Sequence, residues 1–404
     1  LLTDVTINEL IKIEKAITLD LGGKKVTATS KKAFEVYANA TIKNGTIEAA
    51  NRCVDTRKAV ELTLTDVNLI ADKYTTHGNP QPLTIGGSEN GTKVNMTNVN
   101  ISAAAGYGII TFVKTELNAT GCTISGYNAL YVKPGSEESV FNFADCDLSG
   151  STAGNDVEGN SFSTIAVRAD DVTVNVDADS TVSATGNYCW AISLESKYTN
   201  ENGITGANIT VAGAINGKVL TSVDVNANTI TVKAEYADDL VACGYVALDN
   251  GDGTVTAHIH VYESQYFAAT NTENAYTVYT CSCGDTYTEV EEGTVLHAVV
   301  NVQTGDTYTD LQAALNAAAK GDTVKLLKDT AAEGIYVGAG KTVDLNGHKL
   351  TVTDYISASF ATTHIVDSTN GDGLLVVNGA DVALNSENKQ LPLWTAEGVR
   401  FVTV

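Results

Sequence analysis

The feature that most constrains this chain is a ten-residue figure that occurs twice. TLDLGGKKVT at Thr18–Thr27 is apolar at alternate positions, meets a glycine corner and leaves it into a second short β run. Another form, TVDLNGHKLT, stands at Thr342–Thr351. Between the copies the figure recurs in degraded form, with Val26, Ile47, Leu69, Ile101, Ile124, Leu148, Val182 and Val211 as anchors. Three positions before each anchor stand Gly23, Asn44, Asp66, Asn98, Gly121, Asp145, Asp179 and Asn208. All are Gly, Asn or Asp, the residues that tolerate a left-handed backbone. Before the bend, apolar residues alternate as in a strand, for example Leu62 with Leu64 and Phe141 with Phe143. Ile47 to Leu69, Ile101 to Ile124 and Ile124 to Leu148 span 22, 23 and 24 residues. β units repeating at that period predict a solenoid.

The fold expected is therefore all-β, a right-handed parallel β-helix followed by a small β module and the start of a second β-helix with a capping helix. The segments are 1–212, a closing β segment 213–256, the module 257–293 and a second solenoid 294–404. Residues two before each anchor, among them Val67, Val99, Cys122, Cys146 and Ser180, should point inward. Their neighbours Thr46, Asn68, Asn100, Thr123, Asp147 and Thr181 should point out. Cys122 and Cys146 then stack inside successive coils as small apolar groups. The coil at Val172–Val182 carries one extra residue, read as a bulge.

Net charge is −23, which argues against nucleic acid and anionic membrane surfaces as partners. No apolar run approaches the roughly 20 residues of a membrane span, so no membrane insertion is expected. Many Gly (35) and few Pro (4) suit short strands and tight corners. Seven Cys without framework spacing do not define the fold by disulfides. Leu1 starts in mid-pattern, which reads as a mature or trimmed chain.

Two insertions, Asp72–Gln81 and Ser151–Ser161, leave the same corner of coils separated by two short-turned ones. Insertions gathered on one face of a solenoid often mark its binding face. With coils about 4.8 Å apart, such walls stand roughly 15 Å from each other. The floor between them holds Tyr107 and Tyr127, whose rings suit stacking on a sugar. Tyr74 and His77 on one wall, Asp156 and Glu158 on the other, would supply hydrogen bonds.

From Gly213 the repeat loses its beat, and GYVALDNGDGTV follows at Gly244–Val255. On this motif and on the LDLGGKKVT opening, the chain resembles the pectin-lyase-like parallel β-helix surface proteins of Gram-positive gut commensals. Their helices close with a "GYxAxxNGDGTYTV"-like strand and open with an "LDLNGxxLT"-like one. The resemblance implies a secreted or wall-attached, adhesin-like protein of several modules; its motifs are structural and carry no chemistry.

The module at 257–293 looks like one recurrent in those same proteins, some copies of which have C-x-x-C and a further Cys. Here the spacing is C-x-C, at Cys281 and Cys283, and Asn271 stands where the extra Cys is expected. His258 and His260 on one strand face would complete a tetrahedral zinc set with the two thiolates. Structural zinc sites favour C-x-x-C, and a one-residue gap makes chelation by both thiolates awkward. The expectation is a β hairpin without metal, and no cofactor. After the module, Thr309 and Gln312 read as a capping box. The stripe Leu311, Ala314, Leu315 and Ala318, closed by Lys320 and Gly321, reads as a helix plugging the second solenoid. Leu326–Asp329 matches Leu1–Asp4, so a similar plug is expected before Leu1. The tail 388–404 does not fit a coil.

Catalysis has thin support. Hydrolases need two carboxylates facing one cleft, and the adjacent Asp170 and Asp171 would point apart on a strand. Lyases of this fold commonly use a basic residue beside acids. Lys114, Lys133 and Arg168, near Glu137, Glu138 and Asp170, form the nearest match and read as a solvated charge column. The expected function is an extracellular, non-catalytic protein binding a polysaccharide or a host or wall glycoconjugate, working with other modules of the same polypeptide. The alternatives are a polysaccharide lyase or glycoside hydrolase of the β-helix class, and a structural stalk.

Overall fold

The structure is a computed structural model, which describes residues 1–71, 79–103, 105–152, 162–195, 203–221, 225, 227–358, 363–369, 372–382 and 399–401. They form two compact units, Leu1–Ile259 and His260–Val404.

The first unit is a parallel β-solenoid. Each coil gives two runs to a sheet folded along a bend and one run to a second sheet that closes the coil. The strand Glu61–Ala71, for instance, bends at Asp66 and is followed by the closing strand Leu83–Ile85. Val26, Ile47, Leu69, Ile101, Ile124, Leu148 and Val182 are successive Cα partners in parallel register. All seven are buried, so the anchors form one continuous interior row. Inside, Cys122 and Cys146 are buried and stacked, the Cys122 amide donating to Cys146 Sγ at 3.4 Å. Outside, Asn175, Asn142, Asn118 and Asn95 hydrogen-bond in sequence from coil to coil.

The bend is a column of left-handed residues: Gly23 (φ 76°), Asn44 (59°), Asp66 (53°), Asn98 (53°), Gly121 (65°) and Asp145 (53°). A sharp corner there admits Gly, Asn and Asp because a larger Cβ substituent meets the carbonyl without a local hydrogen bond to offset it. Side chains at and beside the bend also pair across coils. Asn44 Nδ2 donates to Asp20 Oδ1 at 3.0 Å and Asn98 Nδ2 to Asp66 Oδ1 at 3.1 Å.

Asp179 and Asn208 do not join this column. Neither is left-handed. Phe143 and Asp147, four apart, pair with Val176 and Thr181, five apart, so the extra residue expected in that coil lies in the bend itself. Asn208 is extended in the strand Asn208–Val211, where it pairs with Thr173. Ile215, not Val211, takes the place above Val182. The unit then ends on an antiparallel pair, Val246–Asp249 with Thr254–His258, the latter also flanking Thr229–Lys233.

The second unit opens with an antiparallel three-stranded sheet, Tyr262–Phe267, Ala275–Cys281 and Thr286–Glu291. Parallel coils follow, with Thr323–Leu326, Thr342–Asp344 and His364–Val366 on one side and Thr330–Val337, Lys349–Ala358 and Leu374–Val377 on the other. Its first coil repeats the first unit's opening bond for bond. Asp20 accepts the Gly22 amide at 2.9 Å and Asp344 that of Asn346 at 3.0 Å. In both, two left-handed residues follow, Gly22–Gly23 and Asn346–Gly347. Asp4 accepts the Lys25 amide, and Asp329 that of Lys349, both at 2.9 Å.

The helix Leu311–Ala317 buries Leu311, Ala314 and Leu315 against this core. Its N-cap is Asp310, whose carboxylate accepts the Ala313 amide at 2.7 Å, rather than Thr309. A charged carboxylate is the stronger acceptor for an orphan amide. Gln312 is thereby released to bond Asn316 and the backbone of Tyr336. The helix also stops earlier than Lys320, at an extended Ala318.

Candidate functional site

The closing sheet of the first unit has an outer face on which side chains line up at coil spacing. Backbone register places Glu35, Asp55, Thr84, Ile110, Tyr131, Ala166 and Ser193 in one row. Two residues further along each strand runs a second row, in which Phe112, Lys133, Arg168 and Glu195 each donate their amide to the coil before. Residues two apart share a face, so the two rows lie side by side; the first row is buried, and the second is partly exposed.

At its centre Ile110, Tyr131 and Ala166 pack together with Tyr107. The Tyr107 and Tyr131 ring centroids are 4.9 Å apart. Lys133 Nζ sits 4.6 Å and Arg168 Cζ 5.6 Å from the centroid of Tyr131, within the range of cation–π attraction, about 0.5–2 kcal/mol each according to desolvation. Lys133 also donates to Tyr131 Oη at 3.4 Å, and Arg168 is paired with Glu195. Phe112, level with these cations, keeps 38% of its surface exposed.

Tyr74, His77, Asp156 and Glu158 lie outside the described residues. Tyr107 and Tyr127 are half-buried, and each ring packs on a neighbour, Tyr127 on Phe162 at 4.8 Å. Lys133 and Arg168 stand on consecutive coils as expected, but Lys114 is not in their row. The chain turns after Thr111, so that Phe112 takes the position level with Lys133. Lys114 instead pairs with Glu138, whose carboxyl it holds below the usual range by hydrogen bond and charge.

Toward the start of the unit, the same face carries an ion cluster absent from the sequence reading. Lys32 Nζ bridges Glu35 (2.8 Å) and Asp55 (2.7 Å), while Arg52 reaches Asp55 at 2.8 Å. Asp55 is fully buried; its Oδ1 accepts no hydrogen bond, with Arg57 Nη1 3.8 Å away. Burial alone would raise the Glu35 carboxyl, but hydrogen bonds from Lys32 and Tyr37 outweigh it and hold the group below its ordinary range. The alternation in KAFEV and RCVDT marks Glu35 and Asp55 as outward, and that was the available signal.

In the second unit, Cys281, Cys283 and His260 are drawn to one end of the three-stranded sheet. The donor atoms of these three lie within 4.8 Å of one another, and His258 ends the last strand of the first unit, Thr254–His258. The one-residue gap between the thiols thus does not prevent their convergence.

Set against family models, curated proteins and solved structures, the chain matches none. The fold and the surface geometry define it as a parallel β-solenoid protein.

Proposed function

We propose that the chain is an extracellular, non-catalytic surface protein that binds carbohydrate, secreted or wall-attached with other modules of its polypeptide. The observation that carries this reading is the row Phe112, Lys133 and Arg168 on three successive coils. Coils about 4.8 Å apart put an exposed ring and two cations within roughly 10 Å, the scale of a disaccharide. A phenyl face stacks on the apolar side of a sugar ring. An ammonium and a planar guanidinium donate to hydroxyls and, more strongly, to a carboxylate or sulfate. In a chain of net charge −23 a local cationic pair is a selective feature, so the ligand class favoured is an acidic glycan.

A second reading, a polysaccharide lyase or hydrolase, draws on Glu35 and Asp55 stacked on neighbouring coils. A glycosidase needs one carboxyl held protonated. Here Lys32 bridges both groups, and the Glu35 pKa is lowered rather than raised. That arrangement favours binding over hydrolysis.

The test is a glycan array probed with the full chain, followed by release assays on every glycan retained. Saturable binding of acidic glycans without release of reducing or unsaturated ends supports the proposal. Release abolished by Asp55→Asn would establish the enzyme reading instead. No binding and no release would leave a structural stalk.

A further inference from the structure

We propose that the small β module is a zinc-binding unit, with His260, Cys281 and Cys283 as ligands. Topology brings the donors together. Tyr262 is the strand partner of Cys281, so His260, two residues before it, overhangs the end of the sheet where the chain turns. At that end Cys281 closes a tight turn. Its amide donates to the Asp285 carbonyl at 2.8 Å, its carbonyl accepts the Gly284 amide at 2.9 Å, and Gly284 is left-handed (φ 93°). This reversal is what makes C-x-C workable: Cys283 is carried back toward Cys281 instead of pointing along a strand.

The distances fit a metal. Zn–S near 2.3 Å and Zn–N near 2.0–2.1 Å give a tetrahedron with S–N edges of about 3.6 Å. Cys283 Sγ lies 3.4 Å from His260 Nδ1, and the donor atoms of His260, Cys281 and Cys283 all fall within 4.8 Å. Two thiolates and an imidazole suit zinc and not magnesium or calcium, which take oxygen ligands. With both thiols deprotonated, the Zn²⁺ charge is balanced and no net charge is sealed in the fold.

The module also has a need that a metal would meet. Between His260 and Thr294 the buried apolar side chains are Ala275 and Cys281 alone. A segment of that size, below about 40 residues, ordinarily requires a disulfide, a metal or an oligomer to hold its shape, and none of the cysteines is in a disulfide. Around the ligands Tyr262 packs at 5.4 Å from the His260 ring and donates to Asp285 Oδ2 at 2.6 Å, tying that ring to the turn that holds the cysteines.

The experiment strips the reduced full chain with a chelator and titrates it with Zn²⁺ against a chromophoric competitor. One zinc per chain is expected, with a dissociation constant below roughly 0.1 µM and release of the thiol protons. Cobalt(II) in its place should give the intense visible bands of a tetrahedral ion and thiolate charge transfer. The Cys281→Ser/Cys283→Ser double change should lower affinity at least 100-fold and His260→Ala at least tenfold. The cobalt spectrum and proton count use the unaltered chain, so they stand even if a variant misfolds. No stoichiometric zinc in the reduced chain, a six-coordinate cobalt spectrum, or unchanged affinity in the double variant would overturn the proposal.

Discussion

Replacing Asn98 separates the two physical reasons for the bend column. Asn98 is left-handed at φ 53° and its side chain donates to Asp66 Oδ1 at 3.1 Å. Ala removes that hydrogen bond, worth about 0.5–1.5 kcal/mol net. It also leaves a Cβ in left-handed backbone without the local bonding that makes Asn tolerable there, about 1–2 kcal/mol. Asn98→Ala should therefore cost about 1.5–3.5 kcal/mol. Gly loses the same hydrogen bond but carries no Cβ; its extra freedom in the unfolded chain returns about 0.4–1 kcal/mol of cost. Asn98→Gly should therefore be the milder change by about 0.5–1 kcal/mol. Asn100→Ala, exposed and extended in the strand Asn100–Ala103, is the control and should stay within about 0.5 kcal/mol. The assay is urea unfolding followed by circular dichroism, in which the Ala variant should lose roughly half a molar in midpoint. Because solenoids need not unfold in one step, midpoints are compared only where the slopes agree. An Ala variant no worse than Gly, or a control as costly as either, would refute the account of the bend.

Other outcomes follow from the same structure. In the native chain stripped of metal, Cys243 and Cys283 should react promptly with a thiol reagent. Cys53, Cys122 and Cys146 should react only on unfolding, since they are buried and burial pushes the Cys53 thiol up. Asp367 is buried, which by itself would raise its carboxyl. Bonds from the Thr369 hydroxyl and the Gly347 and Gly373 amides outweigh this and hold it at about 2. A depressed carboxyl stabilises the folded state above its unfolded pKa, and that contribution is lost as pH falls from about 4 through about 2. Asp367→Asn should flatten this stretch of the second unit's pH–stability curve, and an unchanged slope would count against the role. Phe141→Ala, emptying a fully buried position on the interior, should cost about 3–5 kcal/mol by urea unfolding.

Much of the solenoid was legible because its corner uses three residue types at a fixed offset from an apolar anchor. Asn44, Asp66, Asn98, Gly121 and Asp145 carry that signal in side-chain identity alone. It failed at Asp179, where the bend carries an extra residue, and at Asn208, because NITVAGAIN alternates on both sides of its corner and either Val211 or Ile215 can serve as anchor. Only hydrogen-bonded register separates them. Lys133 and Arg168 were visible as charges just past a strand. Phe112 was not, because an apolar residue in TFVK reads as core until the turn that exposes it is known. The capping residue was missed by one, since Thr309 and Asp310 are both good N-caps and the choice depends on where the helix begins. For the His and Cys residues the spacing could be read, but their convergence depends on a turn geometry that spacing alone does not specify.

The central claim is that the outer row of the closing sheet binds an acidic glycan, and calorimetry on the full chain tests it most directly. The ligand is the acidic glycan retained best on the array, titrated into the unaltered chain, Phe112→Ala and Lys133→Ala/Arg168→Ala. Saturable binding weakened at least tenfold in both variants, with the double variant losing most of the salt dependence, is the predicted result. Equal affinity in all three, with unfolding midpoints unchanged, would contradict it.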